Sequence, residues 1–423
     1  MELRAAYKET EVGVIPAQWE VKRLGDLGTI VRGGSPRPAG DPRFFNGSFA
    51  PWLTVAALTN IPDSQLRVTE TFGFLTEEGS KRSRTLMDGT VIIANSGATL
   101  GVAKILGITC CANDGIAAII NQRTGNKSFI CYYINSQTAH LREVIATGNG
   151  QPNLNTKLIR ETALPFPKED EQRAIAAALS DVDALLLRLD QLIPKKRDLK
   201  LGAMQELLAG RRRLPGFTGR WTERRIGDVG KCLRGVTYKG DTDLSPYDTP
   251  RTRRLLRSNN VQGSTVVARD IQFVNSERVS PQQLMQVNDI LICMANGSKE
   301  LVGKAGAFTI EDGYLYTFGA FMGCFRTSAE RADPAFVFFL FQTGRYRDYI
   351  NNLLAGSSIN NLRPSTIESL EFPFPSMAEQ AAIAAALSDM DSEIEALKSR
   401  REKTRAIKQG MMQELLTGRI RLV

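Results

Sequence analysis

Clusters of arginine, lysine and asparagine are the residues of this sequence whose type and spacing could contact duplex DNA. The first cluster contains Lys81, Arg82 and Arg84, and the second contains Arg251, Arg253, Arg254, Arg257 and Asn259. An arginine guanidinium can bridge guanine or clamp a phosphate, and an asparagine amide can pair with adenine. Charge runs are also common on solvated faces, so either cluster could instead be an ordinary exposed surface.

Small hydrogen-bonding residues form a second group of candidates for DNA contact. They stand on turns after predicted strands, or in the glycine- and asparagine-rich segment before the last strand of each half, where they could approach a duplex. In the first half they are Asn95, Ser96, Gly97, Thr99, Gln151 and Asn153, and in the second half Asn296, Ser298, Lys299 and Asn360. Ordinary turn chemistry is the alternative explanation for the same residue types.

Residues for catalysis are missing by type and by spacing. His140 is the only histidine and lies in a predicted helix, which argues against histidine-based triads and multi-histidine metal centres. The sequence has no Gly-x4-Gly-Lys-Ser/Thr loop, no Gly-x-Gly-x-x-Gly after a strand and no Asn/Asp-Pro-Pro-aromatic tetrapeptide of the kind used on a flipped base. No cluster of carboxylates indicates a nuclease. We therefore predict no catalytic residue, no metal site and no cofactor in this chain.

The composition favours a soluble protein with a polyanionic partner. The 423 residues include 54 lysines and arginines against 45 acidic residues, a net charge of +9, which raises the expectation of nucleic acid. The longest apolar run, residues 336–341, is too short to cross a bilayer, and no signal-peptide core follows the start. The six cysteines lack zinc spacing, so buried reduced thiols are expected. We expect a cytoplasmic protein without a membrane partner.

A long internal repeat organises the chain. Residues 171–214 match residues 379–422 without a gap at about 25 of 44 positions. The similarity extends upstream, because the Trp-x3-Arg-Leu-Gly-Asp segment that starts at Trp19 corresponds to a Trp-x3-Arg-Ile-Gly-Asp segment that starts at Trp221. A globular domain followed by a helix is therefore used twice. The predicted parts are domain one at 1–167, helix one at 168–213, domain two at 214–375 and helix two at 376–423.

Apolar residues in the repeated block are spaced alternately by four and three, as in a coiled-coil seam. The first helix contributes Ile175, Leu179, Val182, Leu186, Leu189 and Ile193, and the second contributes Ile383, Leu387, Met390, Ile394 and Leu397. Each helix would be about 60 Å long. A helix packed only on its own domain is the alternative, but two matched copies favour packing of the helices on each other.

Local signals mark the ends of both helices. Ser376-x-x-Glu379 forms a capping box, and Gly210 and Gly418 stand where a left-handed C-terminal cap would fall. Pro194 lies inside the first helix, so we expect a kink or a local break there.

Chain connectivity favours antiparallel packing of the two helices. Residues 214–375 leave the end of the first helix and lead into the start of the second, and compact domains often have adjacent termini. An approximate two-fold would then relate the two halves, so the globular domains would face a long ligand in inverted senses. Such an arrangement is a molecular ruler.

Each globular half is expected to be an α+β domain with short strands and one helix. In the first half we predict strands at Thr90–Asn95 and Ile116–Ile120 and a helix at Phe129–Ala146. The second half repeats the pattern, with strands at residues 289–294 and 319–325 and a helix at residues 336–354. The predicted fold class is thus α+β, with two similar domains joined by two long helices in an antiparallel, pseudo-two-fold coiled coil.

Taken together, these motifs resemble those of the specificity subunit of type I restriction-modification systems. The resemblance is carried by the paired Pro-x-Pro-x3-Glu-Gln-x-x-Ile-Ala helix starts, the Leu-Leu-x-Gly-Arg helix ends and the Trp-x4-Leu/Ile-Gly-Asp domain starts. It covers essentially the whole chain. The matching helix positions are Glu171, Gln172, Ile175, Leu179, Glu379, Gln380, Ile383 and Leu387.

The resemblance implies two target-recognition domains that each read one half of a bipartite, asymmetric site in double-stranded DNA. It implies that the helices set the spacer and dock two copies of the methyltransferase subunit. The chemistry would belong to the partners, with S-adenosylmethionine used by the methyltransferase subunits and ATP with Mg²⁺ used by restriction/translocase subunits.

Two other classes of protein stay open on the residues alone. One is a stand-alone DNA methyltransferase or nuclease with its own target-recognition repeats, against which the missing catalytic motifs argue. The other is a coiled-coil scaffold that does not bind DNA, against which two globular domains with basic turns argue. Specific binding of a duplex would separate the scaffold from a DNA-recognition subunit.

Overall fold

The computed structural model describes residues 6–146, 153–355 and 360–422. The chain divides into two compact units, which we call the first unit (Met1–Ile193 with Leu397–Val423) and the second unit (Pro194–Ala396). Each unit holds one globular part and a segment of each of two 39-residue helices. These are the first long helix (Glu169–Leu207) and the second long helix (Met377–Leu415).

The globular part of the first unit mixes short strands with short helices. Its strands are β1 (Tyr7–Thr10), β2 (Gly13–Pro16), β3 (Glu20–Arg23), β4 (Thr29–Arg32), β5 (Phe45–Leu53), β6 (Arg67–Val68), β7 (Gly73–Leu75), β8 (Arg84–Leu86), β9 (Val91–Ala94), β10 (Ala103–Leu106), β11 (Cys110–Ala112), β12 (Ile116–Ile120) and β13 (Ala163–Phe166). Its helices are α1 (Leu24–Leu27), α2 (Val55–Thr59), α3 (Glu77–Lys81), α4 (Lys127–Ser136), α5 (Thr138–His140) and α6 (Thr156–Glu161), and a π-helical turn spans Leu141–Ile145.

Two sheets build the core of the first unit. The five-stranded sheet has the order β4-β12-β9-β10-β6, and the four-stranded sheet has the order β7-β5-β11-β8. Strand β9 lies inside the larger sheet and is buried along its whole length. Because successive side chains of a strand point to opposite faces, Val91 and Ile93 join the core that contains α4, while Ile92 and Ala94 join the core shared with the smaller sheet.

The globular part of the second unit repeats this architecture. Its strands are β14 (Thr222–Arg225), β15 (Gly230–Arg234), β16 (Leu244–Ser245), β17 (Thr252–Leu256), β18 (Val261–Gln262), β19 (Thr265–Val266), β20 (Gln272–Asn275), β21 (Ile290–Cys293), β22 (Ala305–Ala307), β23 (Tyr316–Phe318), β24 (Met322–Thr327) and β25 (Glu371–Phe374). Its helices are α7 (Ile226–Val229), α8 (Gly240–Asp243), α9 (Pro334–Leu340), α10 (Gly344–Ala355) and α11 (Pro364–Glu368), with 3₁₀ turns at Ser258–Asn260, Ser276–Arg278 and Pro281–Gln283.

The sheets of the second unit follow the same plan as those of the first. The larger sheet has the order β15-β24-β21-β22-β19-β18 and the smaller has the order β16-β20-β17-β23. Most neighbouring strands are antiparallel, with a parallel pair between β17 and β23 that corresponds to the parallel pair of β5 and β11. Both units therefore have the predicted α+β character.

The predicted strands occur, but the prediction of one uninterrupted helix in each half is wrong. Strands β9, β12, β21 and β24 fall within or across the predicted ranges. The first helix stops at Gln137, whose ψ of 5° leaves the helical region, and continues as α5 and the π-helical turn. In the second unit a new helix starts after α9 because the Thr343 hydroxyl accepts the backbone N–H of Tyr346.

The ends of the long helices follow the predicted signals in part. Gly210 and Gly418 have positive φ angles of 65° and 71°, which confirms the left-handed caps. The Ser376 hydroxyl accepts the N–H of Glu379 at 3.4 Å, but the Glu379 carboxylate binds Arg213 instead of returning to the helix start. The predicted capping box is therefore half formed.

The first long helix passes through Pro194 without a break. Proline removes only the one N–H that would reach the carbonyl of Asp190, and Pro194 itself is exposed, so its ring needs no space in a core. We expected a kink or a break at Pro194, and the helix is not broken there.

The cysteines and the hydropathy of the helices can also be compared with the predictions from the sequence. All six cysteines are buried and free, as predicted, and burial raises the pKa of the Cys110 thiol to about 12. Across the described ranges, no helix combines enough length with enough apolar character to span a bilayer.

Candidate nucleic-acid interface

A groove of about 1220 Å³ in the second unit brings together side chains from separate parts of the sequence. Four of the residues predicted to contact DNA line it, namely Arg257, Asn259, Asn296 and Asn360. They come from the end of β17, the turn after β21 and the segment before the last strand. The tertiary fold thus unites four sequence candidates from three segments that lie up to about a hundred residues apart.

Backbone hydrogen bonds explain how these segments meet. Asn360 lies beside the turn that follows β21, because the N–H of Asn296 donates to the Asn360 carbonyl at 3.4 Å and the N–H of Leu362 donates to the Met294 carbonyl at 2.7 Å. The side-chain oxygen of Asn296 accepts the N–H of Ser298 at 3.0 Å. This Asx-type turn fixes the local conformation of the loop beside the groove.

Arg257 supplies the positive charge that lines the groove. Its backbone N–H donates to the side-chain oxygen of the buried Asn260 at 2.8 Å, and its Nη2 donates to the Asp270 carbonyl at 3.1 Å. Its Nε atom is buried and has no hydrogen-bond partner among the described residues. The neighbouring Asn259 is exposed. The protein therefore uses only part of the hydrogen-bonding capacity of the Arg257 guanidinium. The remaining N–H groups could donate to an acceptor on DNA.

The other arginines of the second cluster have different surroundings. Arg251 is exposed. Arg253 donates to the carbonyls of Pro250 and Thr252. Arg254 pairs with Asp248 at 2.9 Å and with Asp312 at 3.2 Å, and it stacks on the Tyr314 ring. Of this cluster, only Arg257 and Asn259 line the groove.

The remaining candidates of the second unit lie on the turn after β21. Ser298 and Lys299 are exposed, and neither lines the groove. The Lys299 ammonium reaches the Leu354 carbonyl at 3.4 Å, close to the end of α10.

The first unit places its candidates on the corresponding turn after β9. Asn95 is almost fully buried and donates through Nδ2 to the Asp114 carbonyl at 3.3 Å, while Ser96 and Thr99 are half-buried and Gly97 is exposed with a φ of 79°. The N–H of Leu154 donates to the Asn95 carbonyl, which brings Asn153 to the same turn. Gln151 lies outside the described residues.

Several polar atoms around this turn lack a partner in the described part of the chain. They are Asn95 Oδ1, Thr99 Oγ1, Asn113 Oδ1 and Asn153 Oδ1. Asn113 and Asp114 did not stand out in the sequence, because neither belongs to a basic or glycine-rich run. The Ser35 hydroxyl donates to Asp114 Oδ1 at 2.6 Å and holds the pKa of this carboxyl below its usual value.

The basic cluster of the first unit is exposed and internally paired. Lys81 pairs with Glu77 at 2.8 Å, and Arg82 pairs with Glu78 at 3.2 Å and lies over the Phe44 ring. Arg84 donates through Nε to the Arg32 carbonyl at 2.7 Å. Exposed pairs at i,i+4 contribute little to stability, so these side chains remain free to exchange partners.

Glu171 and Gln172, at the start of the first long helix, are buried and attach it to the globular part of the first unit. Glu171 pairs with Arg421, with 2.8 Å between Nη2 and Oε2, and accepts the indole N–H of Trp19 at 3.0 Å. Gln172 accepts the N–H of Asn126, which caps α4, at 2.7 Å.

The second unit repeats this attachment. Glu379 pairs with Arg213, with 2.6 Å between Nη2 and Oε2, and Gln380 accepts the N–H of Asp333, the cap of α9, at 3.0 Å. The cap residues and the two arginines were not among the candidates, although the two arginines occupy matching positions of the repeat. The repeat itself was the signal that could have identified them.

The seam positions differ in burial. Those buried to 6% exposure or less are Ile175, Leu179, Leu186, Leu189, Ile193, Ile383, Leu387 and Ile394. Those half-buried are Val182, Met390 and Leu397. In the first unit Ile175 and Leu179 share a core with Leu415 and Leu416, and in the second unit Ile383 and Leu387 share a core with Met204, Leu207 and Leu208.

Ion pairs join segments of the two long helices inside each unit. In the first unit Asp183 pairs with Lys408 at 2.6 Å and Asp190 pairs with Arg401 at 3.4 Å. In the second unit Lys196 pairs with Glu393 and Lys200 with Asp391, each at 2.6 Å. Residue numbers rise along one helix as they fall along the other, so the paired segments run antiparallel within each unit.

Comparison with known proteins places these features in a family. The family model described as "Type I restriction modification DNA specificity domain" matches residues 16–196 and 219–404. The chain is 24% identical over 436 residues to the MjaVIII type I restriction enzyme specificity subunit of Methanocaldococcus jannaschii, covering 98% of this chain and 96% of that one. It is 30% identical over 200 residues to the EcoKI specificity subunit of Escherichia coli strain K12.

The E. coli match spans 47% of this chain and 42% of that subunit, and the match to the StySPI subunit of Salmonella potsdam has the same extent. Among solved structures, the S subunit of a type I restriction-modification system from M. genitalium aligns with a TM-score of 0.58 at 14% identity, covering 98% of each chain. This likeness shows a shared fold.

Proposed function

Because this chain belongs to the family of type I restriction-modification DNA specificity domains, we propose that it is the DNA sequence-specificity subunit of a type I complex. The family confirms the resemblance inferred from the repeated helix starts and ends. Two copies of the family domain occupy most of the chain, which fits two recognition domains that each read one half of a bipartite site in double-stranded DNA.

The observation that carries the proposal is the groove of the second unit. It gathers Arg257, Asn259, Asn296 and Asn360 on one face. These are the side chains that pair with guanine, phosphate and adenine in DNA complexes. The first unit gathers polar atoms at the corresponding turn, around Asn95, where acceptors stand without a partner among the described residues. Each domain thereby supplies its own set of contacts, which is what an asymmetric site requires.

We propose further that the two long helices form an antiparallel coiled coil with pseudo-two-fold symmetry, which sets the spacer between the half-sites. The antiparallel ion pairs within each unit and the buried seam positions support this arrangement. Lengthening both helices by the same number of residues should lengthen the unspecified spacer of the recognised site. An unchanged spacer in such a variant would contradict the proposal that the long helices set the distance between the half-sites.

The proposed role of this chain is recognition, with the chemistry carried out by its partners. Two methyltransferase subunits would methylate adenine with S-adenosylmethionine, and restriction/translocase subunits would use ATP with Mg²⁺. Glu379 and Glu171, near the starts of the two long helices, are already paired with Arg213 and Arg421 of this chain. Docking of the partners would therefore use exposed helix faces. Exposed apolar residues on these helices include Leu199, Leu201 and Ile407.

A map of methylated adenines tests the proposal. Cells that carry this chain with its methyltransferase are compared with cells that lack only this chain. We expect a bipartite motif that disappears on deletion, and identical maps would contradict the recognition role. Exchange of residues 1–167 for the first domain of another family member should change one half of the motif and leave the other half and the spacer unchanged.

A further inference from the structure

One side chain that lines the groove of the second unit is apolar and exposed, so it cannot contribute hydrogen bonds to a ligand. Phe321 lines the groove and is 72% exposed. It stands on the turn between β23 and β24, outside the basic clusters and the asparagine-rich turns of the sequence. Its phenyl ring lies on a wall otherwise rich in amides, including Asn259, Asn296 and Asn361.

The backbone under Phe321 is held firmly although the ring is exposed. Its carbonyl accepts the N–H groups of Met294 at 2.9 Å and Ala295 at 3.1 Å, and the N–H of Met322 closes the turn on Gly319 at 2.8 Å. The turn is therefore anchored to β21. The backbone of an anchored turn loses little conformational freedom when the turn binds a ligand.

The corresponding position of the first unit has no room for a side chain unless its neighbours shift. Gly115 occupies it, because its carbonyl accepts the N–H of Asn95 as the Phe321 carbonyl accepts that of Met294. A Cβ at Gly115 would lie 2.4 Å from Val55 Cγ2 and 3.0 Å from Ser96 Oγ. Val55 of α2 and Ser96 fill that space in the first unit, whereas in the second unit Phe321 lines an open groove. The aromatic ring is thus a feature of one recognition domain only.

We propose that Phe321 reads a thymine, through contact between its ring and the C5-methyl group, at an A·T pair of the half-site bound by the second unit. This inference rests on the proposed DNA-recognition function. A phenyl ring cannot bond to phosphate, and an apolar side chain distinguishes bases in the major groove by the thymine methyl. Asparagine amides are the preferred partners of adenine N6 and N7. Asn259 and Asn361 line the same groove as Phe321, are exposed, and have no side-chain partner in the described part of the chain.

Replacement of thymine by uracil tests this contact, because it removes the methyl group and leaves base pairing unchanged. The probe is a duplex carrying the recognised motif, with single thymines of the second half-site replaced by uracil, and binding is measured by competition with the assembled methyltransferase complex. We expect one position at which uracil weakens binding about fourfold, the value for one buried methyl group. Phe321→Ala should abolish that difference, and Phe321→Leu should retain part of it.

Tyr247→Ala is the matched control, because Tyr247 is an aromatic residue of the same unit that is 73% exposed and does not line the groove. It should keep the full response to uracil. The proposal is overturned if the second half-site contains no thymine, if no uracil substitution weakens binding of the unsubstituted complex, or if Phe321→Ala lowers affinity equally for thymine and uracil duplexes. The last result would indicate a wedge between bases instead of a methyl contact.

The control for the underlying function is a base-pair exchange. If A·T to G·C changes in both half-sites abolish binding while uracil has no effect, the recognition function stands and the Phe321 contact fails. If neither half-site responds to base-pair changes, the proposed function itself fails. Because the Phe321 ring is exposed, its removal should leave the temperature of thermal unfolding unchanged. The uracil series measured on the complex with the natural sequence needs no variant, so it tests the contact even if Phe321→Ala fails to fold.

Discussion

The guanidinium of Arg421 pairs with the buried carboxylate of Glu171, 250 positions earlier in the chain, with 2.8 Å between Nη2 and Oε2. The same guanidinium lies over the Trp19 ring, 5.6 Å from its centroid, and the Trp19 indole N–H donates to the same carboxylate. One buried charge thus joins the segment before β3, the start of the first long helix and the segment after the second. All three belong to the first unit.

Arg421→Ala should destabilise the first unit. Glu171 is 4% exposed, so removing its cation leaves a buried carboxylate without a countercharge, which costs about 2–4 kcal/mol of the free energy of unfolding. Urea unfolding would measure the loss. Arg419→Ala is the control, because Arg419 forms an exposed pair with Glu414 and should change stability by less than about 0.5 kcal/mol. Equal effects of the two variants would contradict this role.

The two equivalent tryptophans should differ in their dependence on the indole N–H. Trp19 donates to Glu171 at 3.0 Å, whereas the Trp221 Nε1 atom is buried without a partner among the described residues. Trp19→Phe loses a hydrogen bond to a charged group, worth about 1.5–3 kcal/mol, in addition to ring area. Trp221→Phe loses ring area alone. Thermal unfolding of both variants would compare them, and a larger loss for Trp221→Phe would refute the argument.

Features that depend on local sequence were predictable, and the structure reproduces them. The periodic seam residues Ile175 and Ile383 are fully buried, and Gly210 and Gly418 adopt the left-handed conformation of a helix cap. These properties follow from the spacing of side chains on one helix and from the absence of a Cβ in glycine. A pattern within one segment is enough to determine them.

Features that depend on distant partners were not predictable. The Glu379 carboxylate forms an ion pair with Arg213, 166 positions away, in place of the local capping box, because a buried ion pair competes with a solvent-exposed backbone N–H. The groove residues Arg257 and Asn360 meet through backbone pairing of separate segments. Phe321 carried no signal, since one aromatic residue on a turn is more often part of a core.

The arginines of the second cluster should separate into a DNA contact and a structural residue. Arg251 is exposed and has no side-chain partner within the described ranges. Arg251→Ala should therefore leave stability unchanged. For nonspecific DNA, the magnitude of the slope of log affinity against log salt concentration should fall by about one. Its test is a salt titration of the assembled complex. An unchanged slope would place Arg251 away from the phosphates.

Arg254→Ala should instead destabilise the second unit. Its side chain is 20% exposed, pairs with Asp248 and Asp312, and donates to the Tyr316 hydroxyl at 2.9 Å. Loss of the shared cation would leave two carboxylates near each other, with a cost of about 1–3 kcal/mol. Urea unfolding would measure it, with Arg251→Ala as the control. A variant that kept its stability but lost DNA affinity would show that Arg254 contacts DNA.

Lys104 should make the stability of the first unit rise at alkaline pH. Its side chain is 1% exposed, its ammonium donates to the carbonyls of Pro62 and Gln65 at 2.8 and 2.7 Å, and desolvation lowers its pKa from 10.5 to about 8. Between pH 8 and 10.5 the unfolded state therefore binds more protons than the folded state, so the free energy of unfolding increases with pH.

The gain should reach about 3 kcal/mol, the equivalent of the difference between the two pKa values. Buried acids such as Cys110 and Tyr133, whose pKa values burial raises to about 12, oppose it at higher pH, but they act equally in a Lys104→Met variant. The difference in unfolding free energy between the natural protein and Lys104→Met should therefore grow from pH 8 to 10.5 and stay constant below pH 7. Lys81→Met, at an exposed lysine, should show no such trend. Parallel pH curves for the natural protein and Lys104→Met would mean that Lys104 keeps its charge in the folded state throughout this range.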